Sequence, residues 1–394
     1  MRRDIEGRRL NPRSFAGIGK FLYGVAYEAV RRKLPVTDPQ HLGDPAAVID
    51  RTGLTLVTGA TGFVGAAVTR TLAAAGLPLR LMHRHDSDLS NISEVPGERV
   101  VANLTDHESL ARAVAGCRYV FHVAADYRLW VPNPASMRRT NIDGTISLLR
   151  AAGDAGVSRI VYTSSVAALG LTTDGSPADE TTPHGPQDHV GPYKLSKYEA
   201  EISVRRMAAK GLDVVIVNPS APVGPGDIKP TPTGQLVLDA ARGHMPAYVE
   251  TGMNIVHVDD VARGHLLALA YGQTGEGYIL GGENLMLSEI CRLIAQLAGR
   301  APPRVKLPIT PLMPVASLLE AWARVSGKQP LMTRDMLAMA RRRMFYTSAK
   351  AEQCLGYQPR PAGRAFEDAL VDFCRRGKLA SIAYHPLTTT GGTR

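Results

Sequence analysis

The sequence predicts an α/β protein: a doubly wound parallel sheet with a smaller C-terminal substrate lobe. Three observations predict it. From Leu54 onward, short apolar β-branched runs alternate with longer Ala- and Leu-rich runs, the pattern of strands laid parallel and covered by helices on both faces. The first strand passes into the first helix through Gly59, Gly62 and Gly65, the position of the Rossmann-type phosphate turn. After about residue 221 the alternation loosens, and Pro222, Pro225, Pro230 and Pro232 mark an irregular loop that opens the second lobe.

In order, strands are expected at 54–58, 78–83, 99–102, 118–124, 159–163 and 213–218. Helices are expected at 62–75, 107–115, 135–155 and 193–210. Leu54-Thr55-Leu56-Val57 reads as a buried strand. The Ala-rich run after it stops at Gly76. Residues 1–50 stand outside the pattern as a basic extension and linker. Within it, 14–30 can form one amphipathic helix with Phe15, Ile18, Leu22 and Ala26 on a stripe, or pack loosely as a tail. Residues 51–220 form the dinucleotide-binding domain, with later parts of the chain contributing. Residues 221–380 form most of the substrate lobe, and 381–394 a tail.

Composition narrows the function classes. The chain has 394 residues, 44% hydrophobic and 21% charged, ordinary for a globular protein. No apolar run is long enough to span a bilayer, and no signal-peptide pattern opens the sequence. Cys117, Cys291, Cys354 and Cys374 are scattered and read as reduced thiols of a cytoplasmic protein. The net charge of +10 gathers toward the two ends. No nucleic-acid motif accompanies it, so nucleic acid is not expected as a partner. An ordinary solvated surface, with the charge merely gathered at the two ends, fits the pattern best, and peripheral contact with an anionic inner-membrane face is the second reading.

The stretch 58–65 carries the first chemistry. Gly59 permits the tight turn, Gly62 a close approach to a pyrophosphate, and Gly65 close packing of helix on sheet. With Thr61, Phe63 and Val64 they present backbone N–H groups at a helix start, where phosphates bind. The second strand ends in Met82-His83-Arg84-His85, with no acid before Asp86. An acid there suits the ribose hydroxyl of NAD, and an arginine the 2′-phosphate of NADP. Arg84 therefore points to NADP, with NAD still open. His83 and His85 face opposite sides of a strand without carboxylate or thiol neighbours, so no metal is expected. Asn103-Leu104 after the third strand can reach the adenine. Ala124 and Ala125 after the fourth are small enough for a cofactor to come close.

The fifth strand delivers Ser164-Ser165, and Tyr193-Lys194-Leu195-Ser196-Lys197 follows. Tyr193 and Lys197 are one helical turn apart on one face. A free phenol, with a pKa of about 10, is a poor base at neutral pH. A neighbouring ammonium favours the phenolate and moves Tyr193 toward acid/base work. A serine hydroxyl from the adjoining strand end can hold the substrate oxygen. The loop Asp126-Tyr127-Arg128-Leu129-Trp130 follows the fourth strand and can reach the substrate, with Asp126, Tyr127, Trp130 and Ser165 as its candidate contacts.

From about Leu54 to Leu370 the chain resembles an extended short-chain dehydrogenase/reductase of the nucleotide-sugar epimerase and dihydroflavonol-reductase branch. The matching pieces are 58–65, Asn141-Ile142-Asp143-Gly144-Thr145, Ser164-Ser165, 193–197, Asn218-Pro219-Ser220 and His257-Val258-Asp259-Asp260. The runs 124–130, 217–225, 230–234 and 278–284 resemble the hopanoid-associated sugar epimerases. The resemblance implies Ser165 as catalytic serine, Tyr193 as acid/base and Lys197 as its partner, with Asn218 and Pro219 lining the nicotinamide side. Asp259 and Asp260 are expected to start and cap a helix. Asn103 stands where the family usually has Asp, which puts the adenine contact in question.

The family name implies an isomerase that removes and returns a hydride at a nucleotide- or lipid-linked sugar, with a role in hopanoid biosynthesis. The same residues serve an NADPH-dependent carbonyl reductase, and Arg84 suits that reading better. A cofactor-binding protein without catalysis is a third reading, which the intact Ser165, Tyr193 and Lys197 oppose. The substrate is thus a small sugar or carbonyl compound, and a homodimer is compatible with the sequence.

Overall fold

The computed structural model describes residues 43–128, 131, 133–326, 330 and 332–380. The segment 14–30 with its expected helix, nearly all of the 1–50 extension, the 381–394 tail and Trp130 lie outside the described residues.

The strands are β1 (Leu54–Thr58), β2 (Leu79–His83), β3 (Glu98–Val101), β4 (Cys117–His122), β5 (Arg159–Thr163), β6 (Val214–Pro219), β7 (Ala221–Val223), β8 (Ala247–Tyr248), β9 (Gly252–His257), β10 (Gly277–Leu280), β11 (Glu283–Met286), β12 (Val305–Lys306) and β13 (Arg343–Met344). Seven form one sheet in the order β3-β2-β1-β4-β5-β6-β10, every neighbour parallel. The order reverses beside β1, the switch point where ligands of such sheets bind.

Successive residues of a strand face opposite sides, and both sides here are buried. Val57, Leu81, Phe121, Val161 and Val217 pack under the helices Phe63–Ala74 and Val258–Tyr271. Leu56, Met82, Val120, Ile160 and Ile216 pack under His107–Val114, Gly144–Asp154 and Pro192–Ala208. Two-sided burial explains why the strands read as unbroken apolar runs rather than alternating ones.

The helix expected over 135–155 is interrupted. Pro134–Arg138 and Gly144–Asp154 are α-helical, and Arg139–Asp143 between them is a π-helical turn. The wider turn holds Asn141 at 2% exposure, where its amide bonds elements on both sides.

The later chain builds a second sheet around β9, which pairs antiparallel with β11 and parallel with β7 and β13. β8 and β12 form a separate parallel pair. Ile255, Ile290, Leu297, Phe366 and Phe373 make this lobe's core. The helix Val258–Tyr271 starts at the expected place, but its N-cap is the ring of His257, which accepts from Asp259 N at 3.0 Å. Asp259 and Asp260 occupy its first turn, and Asp260 holds Arg360 at 2.8 Å.

Candidate active site

Sterics set the loop after β1. Gly59 has φ +67°, and a Cβ there would lie 2.8 Å from Ala124 Cα. A Cβ on Gly65 would lie 2.0 Å from Gly59 O. Only glycine fits either position. Gly62 is the N-cap of Phe63–Ala74 and brings no side-chain cap. The first-turn N–H groups, on residues 63–65, are therefore available to an anion at the positive end of the helix. Asn91 fixes the loop by donating to Thr61 O at 3.3 Å and Gly226 O at 2.9 Å. These donors suit a pyrophosphate.

Beneath the loop, buried His122 bonds Thr58 Oγ1 and Thr145 Oγ1, each at 2.9 Å. Thr145 gives its proton to Asn141 O at 2.8 Å, so it accepts from His122 Nε2–H. Thr58 Oγ1 accepts from Val123 N and Ala124 N, each at 3.2 Å, so its own proton goes to Nδ1. The ring is thus neutral, and burial lowers its pKa to about 3. This chain of bonds ties β1, the Ala124-Ala125 turn and the π-helical turn together.

Arg84 follows β2, largely exposed, 3.5 Å from Asp86. Asn103 Oδ1 is occupied by the N–H and hydroxyl of Thr105, both at 3.1 Å. Leu104 is buried against Gly144.

The chemistry-bearing residues meet at the carboxyl ends of β5 and β6. Ser165 caps the short turn Val166–Ala168, accepting from Ala167 N at 3.1 Å. Tyr193 lies in the first turn of Pro192–Ala208. Burial raises its phenol pKa, and a hydrogen bond with the Ser165 hydroxyl pulls it back down. Tyr193 thus lies near enough to Ser165 for that hydroxyl to act on its phenol.

Lys197, one turn on from Tyr193, is anchored on the end of β5. Its Nζ donates to Thr163 O at 2.8 Å and Tyr162 Oη at 3.3 Å, and lies 4.9 Å from the Tyr162 ring centre. Burial lowers its pKa to about 8, and Glu201 opposes that shift. Glu201 is itself buried, which would raise its pKa. Arg205 at 2.8 Å and Asn218 Nδ2 at 2.8 Å reverse the effect, so it stays a carboxylate.

Tyr162, Glu201 and Arg205 escaped the sequence reading. The signal for two of them was present: Tyr193, Lys197, Glu201 and Arg205 are spaced four apart along one helix face.

Asn218 sits at the end of β6. It is fully buried, and its amide donates to Ser165 O at 3.2 Å and to Glu201. It supports the serine turn through these two bonds. Pro219 is buried at the end of β6.

The 126–128 loop is held through its backbone. Asn141 Oδ1 accepts from Asp126 N at 2.7 Å, and its Nδ2 donates to Asp126 O at 2.9 Å. That Nδ2 also reaches Ser196 Oγ at 3.0 Å, which donates to Tyr193 O at 2.7 Å. The Asp126 carboxylate is paired with Arg128 at 2.9 Å. Tyr127 is 46% exposed, with Asp227 and Asp126 near enough to raise its pKa beyond the effect of burial.

Comparison with known proteins agrees with this arrangement. Residues 55–281 match the NAD dependent epimerase/dehydratase family. The chain is 41% identical over 325 residues to a putative dihydroflavonol 4-reductase of Synechocystis, covering 82% of this chain and 94% of that one. It is 32% identical over 327 residues to sterol demethylase protein B of Methylococcus capsulatus, covering 82% and 99%. Among solved structures it resembles gox2253 at 56% identity and TM-score 0.76, covering 83% of this chain and all of that one. A seven-stranded parallel sheet, a glycine turn at its switch point and these matches together make the chain a member of the NAD-dependent epimerase/dehydratase family, an NAD(P)-dependent enzyme of the extended short-chain dehydrogenase/reductase type.

Proposed function

We propose that the protein is an NADPH-dependent reductase of a carbonyl on an apolar, ring-bearing substrate. The observation that carries it is Arg84. A largely exposed guanidinium follows β2, and the carboxylate beside it is itself exposed and paired with it. A 2′-phosphate fits such a place better than a bare ribose. NADP is the cofactor of net reduction, whereas an epimerase returns its hydride and leaves the cofactor unchanged. The names of the relatives support the same order, since they concern a dihydroflavonol and a sterol. The leading expectation from sequence, sugar epimerisation, thus becomes the second reading, favoured by the family's name and by the hopanoid-associated motifs. The latter also suit a polycyclic lipid substrate.

When bound, the dinucleotide supplies the hydride. The chain does the rest. The N–H groups of residues 63–65 receive the pyrophosphate, and Ala124 and Ala125 leave room for it. Ser165 holds the substrate oxygen and, with it, the Tyr193 phenol. Tyr193 delivers the proton to the carbonyl oxygen as that oxygen gains charge. Lys197 keeps a positive charge below this point, anchored on Thr163 O, and Glu201 maintains that charge. Tyr127, half exposed on the loop after β4, is a substrate contact in this reading.

The test is incubation with NADPH or NADH and three probes: a dihydroflavonol, a 3-oxosteroid and a UDP-hexose. Net oxidation of NADPH with either carbonyl is expected, and Arg84→Ala should reduce the preference for NADPH over NADH about tenfold. Hexose inversion without net oxidation would establish the second reading instead.

A further inference from the structure

The helix Leu312–Ser326 is built inside out. It turns Ala316 and Ala323 inward, 0% and 2% exposed. It leaves Val315, Leu318, Trp322 and Val325 exposed at 45, 72, 67 and 84%. The spacing 315, 318, 322, 325 is one helical stripe, and a helix packed on a core ordinarily presents such a stripe inward. Its one carboxylate, Glu320, is turned away from solvent and pairs with Arg334 at 3.2 Å. On the neighbouring helix Arg334–Ala340, Met336 adds a further exposed apolar side chain.

We propose that this face lies flat on an anionic lipid bilayer and anchors the enzyme there. Charge decides between the candidate occupants. Between residues 301 and 343 the sequence carries eight basic residues and two acidic ones, a large share of the whole net charge of +10. Of the two acids, Glu320 is paired and Asp335 is half-buried. Arg304, Lys306, Arg341, Arg342 and Arg343 are exposed, with Lys306 3.9 Å from the Glu250 carboxylate and Arg342 4.0 Å from that of Asp188. A second copy docked through this helix would bring two such clusters together, whereas an anionic leaflet attracts them. Trp322 suits the same place, since indole favours the boundary between headgroups and acyl chains. Fifteen residues make a helix of roughly 22 Å. Among the described residues no helix is long and apolar enough to cross a membrane, so the helix lies on the surface rather than spanning it.

The segment 307–310, which leads directly into this helix, lines a cavity of about 650 Å³ together with Arg341, Arg342 and Arg343. Arg342 is in turn 4.0 Å from Asp188 and adds to the effect of burial in lowering the pKa of Lys194, the residue after Tyr193. Docking this face would set a bilayer beside that cavity. The inference does not depend on which carbonyl or sugar is turned over.

The chain has two tryptophans, so Trp130→Phe leaves Trp322 as the sole indole reporter. With the full chain, vesicles of phosphatidylcholine plus phosphatidylglycerol should shift Trp322 emission to the blue and carry the protein in flotation. Pure phosphatidylcholine should bind at least about tenfold less. The double variant Leu318→Glu/Trp322→Glu should lose at least about tenfold in partition while keeping its circular dichroism spectrum. Unchanged Trp322 emission on anionic vesicles overturns the proposal even if the double variant misfolds. So does retained binding by a folded double variant, which would assign the anchor elsewhere in the chain. A dimer in light scattering that Leu318→Glu disperses would assign the face to a second copy.

Discussion

At the residue scale, the Tyr193 phenol is set between two opposed influences. Burial makes the Tyr193 proton harder to lose, and the Ser165 hydroxyl makes it easier. The lysine one turn away is held by the Thr163 carbonyl and lies over the Tyr162 ring. Its charge depends on Glu201, because burial alone would lower its pKa further. The sign of the resulting pH effect follows directly. Lys197 is charged below about pH 8 and loses its charge as pH rises through that value. Glu201→Gln removes the opposing carboxylate, so the alkaline limb of kcat/KM should move to lower pH by about one unit. A loss of amplitude with the limb in place would mean that Glu201 only holds the helix. The spacing Tyr193-x-x-x-Lys197 was legible in the sequence. The direction of the lysine was not, because it depends on which strand-end carbonyl comes within reach.

At the element scale, two turns do most of the positioning. The glycine turn was readable because its constraint is local: Gly59 and Gly65 stand where a Cβ would strike backbone. Gly65→Ala puts a methyl group 2.0 Å from Gly59 O, and the backbone must shift to admit it. The expected cost is about 1–3 kcal/mol, read as a lower urea midpoint at unchanged m value, with weaker NADPH binding. Stability and affinity both equal to the parent would mean that the helix does not pack on the loop as described. The π-helical turn was not readable in the same way. Residues 135–155 carry a helical pattern throughout, and what widens the helix at 139–143 is tertiary: Asn141 must reach Asp126, Ser196 and, through Thr145, His122. A polar residue at a position that a regular helix would bury was its only trace. Asn218 shows the converse. Its place at the end of β6 was foreseen, but its amide is claimed by Glu201 and Ser165 O, partners far away in sequence.

At the scale of the whole molecule, the parallel sheet brings the ends of β1, β4, β5 and β6 to one edge. The glycine turn, Ala124, Ser165 and Tyr193 thereby share one cleft although residues 59 to 193 separate them in the chain. Strand alternation and loop position made that convergence legible, because a doubly wound sheet has one switch point. The exposed apolar face of Leu312–Ser326 was not legible. Its pattern of Val, Leu, Trp and Ala is that of any buried helix, and only packing shows which stripe faces out.

The central claim is that the Tyr193 hydroxyl moves the proton while the rest of the cleft holds cofactor and substrate. Tyr193→Phe tests it most directly, with NADPH affinity and turnover of the best-reduced carbonyl probe measured on the same preparation. The account predicts turnover lower by about 10²- to 10⁴-fold with NADPH affinity unchanged. A variant that turns over at the parent rate would contradict it.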